Sequence, residues 1–420
     1  MEQAFDFDVI VVGGGPAGAS AALRLGQGGA RVLLLEKAAG FPREKPCGGG
    51  LTGRLLKRLP QVREMIDAGE ISCNRVTRMH IESPDGTRAT YQHPEPLLYL
   101  IRRWEFDAAL FRRAGEVCTV ETGVTIRRCM VKPDRAELPG HVELEDTTGK
   151  LWTAPLVIAA DSANSVIARQ TGLRTEAAHR EYAVDMMEET SYERLQVTDR
   201  EAVTLCLTMK DAFGYGYVFP KTDRLNLGFG CKLDWFLDKQ RGRGKEMHEA
   251  WVERCKQRGD VTGETDRAGY KAFPIPISGP LERTVTDRVM LAGDAGGFVN
   301  AFSAEGIYYA MVSGWLAGEA ALEAIREQRY SERSLARYER LWKAEIGDDL
   351  AHAVDIQGRL FNGSDRIDSL VRNAARDPEL LRLLVGYSTG LASYEALRNH
   401  MVRSAVPKWV WGRMKAAVGF

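Results

Sequence analysis

The sequence has no net charge: 57 lysines and arginines face 57 aspartates and glutamates over 420 residues. Without a global field to gather nucleic acid or an anionic membrane, any such contact has to be local, and nucleic acid is not an expected partner. Paired cysteines are also missing. Cys47, Cys73, Cys118, Cys129, Cys206, Cys231 and Cys255 are scattered, odd in number and never spaced CxxC. That pattern argues against a disulfide framework and against a zinc site, so no metal is expected and a reducing cytoplasm is the simplest setting. No apolar run reaches the roughly 20 residues of a membrane span. The nearest, Ile307 to Ala321, is interrupted by Gly314, Gly318 and Glu319 and reads as a buried helix. The start of the chain passes from a polar, acidic stretch straight into an apolar segment, with no room for a charged and then apolar leader. The length suits two to three domains with a core large enough to need no staples.

What is present begins with FDVIVVGGGPAGASAALRLGQGGARVLLLE, residues 7 to 36. A short apolar run leads into Gly13, Gly15 and Gly18 at the spacing GxGxxG, with Pro16 and Ala17 opening a helix and Glu36 closing a second apolar run ahead of Lys37. The first glycine permits a sharp turn, the second lets backbone N–H groups approach a pyrophosphate, and the third lets helix and strand pack closely. The helix N-terminus attracts the phosphates, and an acid about 20 residues on accepts from ribose hydroxyls. An adenine dinucleotide is the expected ligand.

The chain then carries Pro46, Cys47, Gly48, Gly49 and Gly50, a loop that reads either as a linker or as backbone brought close to a flat ligand. Ser83 to Gly86 marks a turn between alternating strands. Leu100 to Leu110 begins a helix in which Arg103 and Asp107 are spaced as an ordinary surface ion pair, with Arg103 also a candidate cofactor contact. Two more strands follow, with a turn near Thr147 to Lys150, and the second ends as Leu156 to Asp161, an apolar run closing on an acid where parallel strands present ligand groups. From about residue 176 to 273 the segments are short, alternating and aromatic or β-branched, as an antiparallel sheet requires. Tyr215, Tyr217 and Phe219, ahead of Pro220, share one face of a strand, either as core packing or as a ligand wall. Buried tyrosine hydroxyls would need partners. A third apolar run ends in Gly293-Asp294, followed by small residues opening a helix, and Gly306-Ile307 enters an Ala- and Gly-rich helix. After Ser331 the chain reads as helices, with Pro378 and Pro407 as breaks. The final 20 residues, with Arg403, Lys408, Trp409, Trp411, Arg413 and Lys415 and no acid, read as a solvated basic tail or as a peripheral membrane contact.

The expected architecture is α/β plus α+β. Residues 1–74, 97–175 and 275–325 form a discontinuous Rossmann-like dinucleotide domain, 75–96 and 176–274 an antiparallel-sheet substrate domain, and 326–420 a helical C-terminal region.

The glycine turn, Asp161-Ser162 and Gly293-Asp294 together are similar to the FAD-dependent oxidoreductases of the para-hydroxybenzoate hydroxylase type. Within that group, Pro46 to Leu51, the segment Tyr215 to Pro220 and Gly228-Phe229-Gly230 resemble the geranylgeranyl reductase family, whose signature is YxWxFP followed by GxG after seven or eight residues. Lys221 to Leu227 supplies a spacing of seven. The segment Gly293 to Ile307 resembles that family's GDAAGFVNPFTGEGI. Tyr217 stands where the family has Trp, Ser162 where Gly is usual, Ala301 where Pro is common and Ala304 where Gly is common.

The resemblance implies FAD as cofactor, held by the residues above and by the Cys47 to Gly50 loop, and saturation of isolated C=C bonds in a polyprenyl lipid or other prenylated substrate. The electron donor it implies is a reduced nicotinamide or a ferredoxin-like protein. An unactivated alkene is a poor hydride acceptor, so an acid has to protonate one carbon inside an apolar tunnel. Cys47, Tyr215 and Tyr217 are the candidate acids. The competing readings are an FAD-dependent monooxygenase of an aromatic or prenyl substrate and a non-catalytic flavin- and lipid-binding electron carrier. A nicotinamide-dependent dehydrogenase is weaker, since the one glycine turn would be filled by FAD.

Overall fold

The computed structural model describes residues 5–135, 139–175, 179–209, 212–360 and 364–405. Its first layer is a six-stranded sheet in the order Val285–Thr286, Val289–Leu291, Leu156–Ala159, Val9–Val12, Val32–Glu36, Thr119–Thr122. All neighbours run parallel except the first pair. The central strands are buried along their whole length, as expected where both faces are covered. One face is covered by helices Pro16–Gln27 and Ile307–Glu327. A side chain at Gly314 would overlap the Ala17 carbonyl, so the glycine that interrupts the long apolar run lets these two helices touch. Among the described residues no helix is long and apolar enough to cross a membrane.

The strand reading around residue 155 is corrected. Leu151–Ala154 belongs to a separate three-stranded antiparallel sheet with Ile126–Lys132 and His141–Asp146, while Leu156–Ala159 lies in the parallel sheet. Pro155 has no N–H to donate and marks the crossing from one to the other.

The second layer is a seven-stranded sheet in the order Lys271–Pro276, Tyr182–Ser191, Arg224–Lys232, Ala212–Pro220, Ala202–Met209, Arg78–Glu82, Arg88–Gln92. It is not wholly antiparallel: Ala202–Met209 pairs in parallel with Arg78–Glu82, because the latter arrives from a distant part of the chain and not through a hairpin. On one face Trp251, from helix Gly244–Gln257, packs against Gly216, where any side chain would collide with the indole. The other face carries Tyr215, Tyr217 and Phe219 and is roofed by the helical region after Ser331. In that region Asp377 caps helix Pro378–Thr389 through the N–H groups of Glu379 and Leu380, so Pro378 begins a helix, as its fixed φ permits. Arg403 lies in helix Tyr394–Ala405, whereas Pro407, Lys408, Trp409, Trp411, Arg413 and Lys415 lie outside the described residues.

Candidate active site

The glycine turn is built as its spacing requires. Gly13 has φ +106° and lies against the Ala160 carbonyl, and Gly18 lies against the Gly13 carbonyl, so neither position has room for a Cβ. Helix Pro16–Gln27 has no side-chain cap at Gly15, which leaves its first N–H groups available to an anion. Glu36 is buried, and its two oxygens accept from Gly14 N (2.7 Å) and Ala38 N (2.8 Å), pinning the turn to the loop that follows. Lys37 is exposed beside it.

Arg103 and Asp107 are buried and do not form the surface pair that spacing suggests. Arg103 Nε and Nη2 donate to the Asp107 carboxylate at 2.8 and 3.0 Å, and Arg43 reaches the same carboxylate at 3.2 Å. Burial works against the Arg103 charge, but Asp107 and then the Cys47 thiol reverse that and hold the guanidinium firmly protonated. Lys45 is pressed below its ordinary range, first by burial and then by Arg103. Three cations thus gather between the glycine turn and the Cys47 loop.

Asp161 does not extend free into the site: its Oδ2 accepts from Val166 N at 2.9 Å, while Oδ1 is buried without a hydrogen-bond partner among the described residues and burial raises the carboxyl. Gly293 to Gly296 is a single 3-10 turn, and the long helix starts only at Ile307, with Gly306 as an uncapped N-cap. Gly293 itself, at φ +59°, has Ala17 in the place of a side chain. Arg174, which sequence reasoning missed, donates to Ala163 O at 3.0 Å and to Asp294 O and Ala295 O at 3.3 Å, tying the second return to the third. Two uncapped helix starts, glycine-lined backbone, a cluster of cations and an orphaned Asp161 oxygen fit an elongated, polar, doubly phosphorylated cofactor with sugar hydroxyls. These residues fit FAD.

Beyond the Cys47 loop lies a cavity of about 200 Å³. Its walls are mostly apolar, with Leu98, Leu205, Phe213, Ile275 and Phe302 among them. Cys47, Gly48, Gly49 and Gly50 form one end together with Gly306 and Ile307, and Tyr215, Tyr217 and Phe219 form the sheet wall. Both tyrosines find the partners their burial demands: Tyr215 donates to Ser303 O, and Tyr217 donates to Asp185 Oδ2 at 3.1 Å. Burial, and after it Asp185, raises both phenols. Pro220 falls outside the lining, because the residue after Phe219 points to the opposite face of the strand.

The motif spacings acquire reasons here. Gly228 faces the Tyr217 ring, which occupies the space a side chain would need, and Gly230 leaves Asp185 Oδ1 open on its far side. Phe219 lies across Gly48 and Gly50. Gly48 to Gly53, GGGLTG, repeats the GxGxxG spacing but runs from a loop into strand Gly50–Thr52, so it is no second dinucleotide turn.

Two further groups went unread in the sequence. Asp185 is buried in the cavity wall, and Lys221, whose side chain is fully buried, pairs with Glu189 and donates to the Cys47 carbonyl at 3.3 Å. Asn226 Nδ2 donates to the same carbonyl at 3.4 Å. The only sequence trace of the first is an acid standing in the otherwise apolar run Tyr182 to Met187. Among the described residues no cluster suits a metal ion.

Residues 6–344 match the family described as FAD binding domain. Digeranylgeranylglycerophospholipid reductase 2 of Methanothermobacter thermautotrophicus is 30% identical over 410 residues, covering 92% of this chain and 98% of the relative. The chloroplastic geranylgeranyl diphosphate reductase of Arabidopsis thaliana is 31% identical, with 80% of this chain and 70% of the relative covered. A geranylgeranyl bacteriochlorophyll reductase-like protein from Thermoplasma acidophilum shares the fold, with a TM-score of 0.77 at 22% identity over 94% of this chain and 95% of the other.

Proposed function

Because this chain belongs to the geranylgeranyl reductase family of FAD-dependent oxidoreductases, we propose that its cavity takes a polyprenyl chain and that isolated C=C bonds are saturated there. The observation that carries this reading is an apolar cavity bounded by the Cys47 to Gly50 loop and by the Tyr215, Tyr217 and Phe219 wall.

FAD, when bound, supplies hydride. Gly13, Gly15, Pro16, Ala17 and Gly18 would hold its pyrophosphate, with Glu36 and Lys37 toward the adenosine, Arg103 and Asp161 along the middle, and Gly293, Asp294, Gly306, Ile307 and the glycines after Cys47 near the ring system. The chain's own residues do the rest. Apolar walls exclude water and orient an alkene that offers no polar handle. Phe219, lying over Gly48 and Gly50, keeps the prenyl chain against the loop. The thiol of Cys47 and the phenols of Tyr215 and Tyr217 are among the O–H and S–H groups that line the cavity, with Thr52, Cys231, Ser303 and Ser388 as the others among the described residues. Tyr215 is engaged by Ser303 O and serves to hold the wall.

Residues 1–74, 97–175 and 275–325 would act as the cofactor unit and residues 75–96 and 176–274 as the substrate unit, with residues 326–420 as a helical C-terminal region whose described part roofs the cavity. The electron donor would be a reduced nicotinamide or a ferredoxin-like protein that docks transiently. Delivery of a lipid fits a peripheral membrane contact by the basic C-terminal residues.

The test is to incubate the reduced holoprotein with a geranylgeranyl-bearing lipid without oxygen and to weigh the lipid. Gain of two hydrogens per double bond supports the reading. In a parallel incubation under air, substrate-stimulated oxygen uptake with gain of an oxygen atom would replace it by monooxygenation, and binding with no change in mass in either incubation by a carrier role.

A further inference from the structure

We propose that Asp185 and Tyr217 form the proton-delivery pair of this cavity: the Tyr217 phenol protonates one alkene carbon as the Asp185 carboxyl passes its own proton to the phenol oxygen. The other carbon receives hydride, which is the reduced flavin's contribution, so the π bond is replaced by two C–H bonds. Asp185 is left as a carboxylate and regains a proton from water. The inference rests on the functional reading above.

Position is the first argument. Asp185 lines the cavity from strand Tyr182–Ser191, is 6% exposed, and lies opposite Gly230 in the ladder. Its Oδ2 accepts from the Tyr217 hydroxyl at 3.1 Å, while Oδ1 is buried and has no hydrogen-bond partner among the described residues. A buried carboxylate with an unsatisfied oxygen is costly, and the acid form relieves that cost because it can donate as well as accept. With Asp185 protonated the bond reverses: Asp185 donates to the phenol oxygen, and the phenol hydrogen is freed to point into the cavity.

The surroundings agree. The titratable groups that bear on Asp185 are Tyr215 and Tyr217 from strand Ala212–Pro220, Cys231 from strand Arg224–Lys232 and Tyr270 ahead of strand Lys271–Pro276. All are neutral acids, and none fixes the negative charge of a carboxylate. Lys232 also lines the cavity. Burial lifts the Asp185 carboxyl to about 6, against which the Tyr217 hydrogen bond acts in the opposite sense. Tyr217 alone is too weak an acid to release a proton from its apolar site, and coupled reprotonation by Asp185 removes the need for a buried phenolate. Gly228 and Gly230 make the space in which the pair sits.

The experiment compares wild type, Asp185→Asn and Tyr217→Phe in anaerobic turnover of a geranylgeranyl-bearing lipid, with flavin reduced by dithionite. kcat and KM are measured between about pH 5 and 8, bracketing the Asp185 titration. In parallel, the infrared carboxylic-acid C=O band is titrated in each protein without substrate. Wild-type kcat should fall as pH rises through about 6. Each variant should lose about 100-fold or more in kcat with little change in KM, and the pH limb should vanish. The infrared band that titrates in wild type should be absent from Asp185→Asn. Asp185→Asn with kcat and pH profile intact, or with only KM raised, overturns the pair. If Asp185→Asn does not fold, Tyr217→Phe decides on the same criteria. Wild type that leaves the lipid unchanged overturns the functional reading, whereas active wild type with unaffected variants overturns this inference alone.

Discussion

At the scale of single residues, burial decides what each polar group can do. Asp185 has a carboxyl lifted to about 6, against about 3.9 for an unperturbed aspartate. A folded value above the unfolded one means that the group favours folding below the unfolded pKa, and that this contribution is lost as pH rises through about 6. Asp185→Asn is therefore expected to raise unfolding free energy at pH 8 by about 2–3 kcal/mol and to change it little near pH 4, measured by urea denaturation at both. Gly228 makes the opposite case. Gly228→Ala would drive its Cβ into the Tyr217 ring, an overpacking expected to cost about 1–3 kcal/mol and most of the substrate affinity. Lipid binding and urea midpoints read both effects. Asp185 was not legible in the sequence because the run Tyr182 to Met187 shows one acid among apolar residues but not that it faces a cavity. Tyr217 and Gly228 were legible as spacing, but their mutual contact follows only from the ladder register Tyr217 to Gly228.

At the scale of elements, the strand-turn-helix beginning at Val9 could be read from spacing because Gly13 and Gly18 answer backbone demands that no other residue meets. Gly18→Ala would push a Cβ into the Gly13 carbonyl, and the purified protein is expected to lack flavin absorbance. The loop at Cys47 was legible as unusual backbone but not as a supported one. Its support comes from a distant strand end, where Lys221, ion-paired with Glu189, and Asn226 both donate to the Cys47 carbonyl. Lys221 is fully buried and Glu189 half-buried, so removing one charge leaves the other without its ionic partner. Lys221→Met is expected to lower stability by about 3–5 kcal/mol in urea denaturation, and Lys221→Met with Glu189→Leu to recover part of that. The Lys221 contact with the Cys47 carbonyl joins residues 174 positions apart, and no local pattern announces it. The same holds for Arg174, whose contacts bring the Asp161 and Gly293 segments together.

At the scale of the whole molecule, three returns of the chain to one parallel sheet bring together the segments proposed to hold the cofactor, and the aromatic face of a second sheet lines the cavity beside the Cys47 loop. The returns were visible in the sequence because each is an apolar run ending in small or acidic residues. The parallel pairing of Ala202–Met209 with Arg78–Glu82 was not, since it depends on how distant segments meet. Helix Pro378–Thr389 contributes Leu384 and Ser388 to the cavity, and Gln357 joins them from helix Asp348–Leu360. The helical region therefore forms part of the wall of the space a substrate chain would enter. Leu384→Ala is expected to let longer prenyl chains bind while lowering stability by about 2–5 kcal/mol, read from binding of a chain-length series and from urea denaturation.

The central claim is that the cavity between the Cys47 loop and the Tyr215 to Phe219 wall is a place where prenyl double bonds are saturated. The most direct measurement is the mass of a geranylgeranyl-bearing lipid after anaerobic incubation with the dithionite-reduced holoprotein. The expected result is a ladder of products separated by two hydrogens, lost when a bulkier residue at Gly48 displaces Phe219 from the cavity wall. A lipid recovered at unchanged mass, from protein that carries its flavin and binds that lipid, would contradict it.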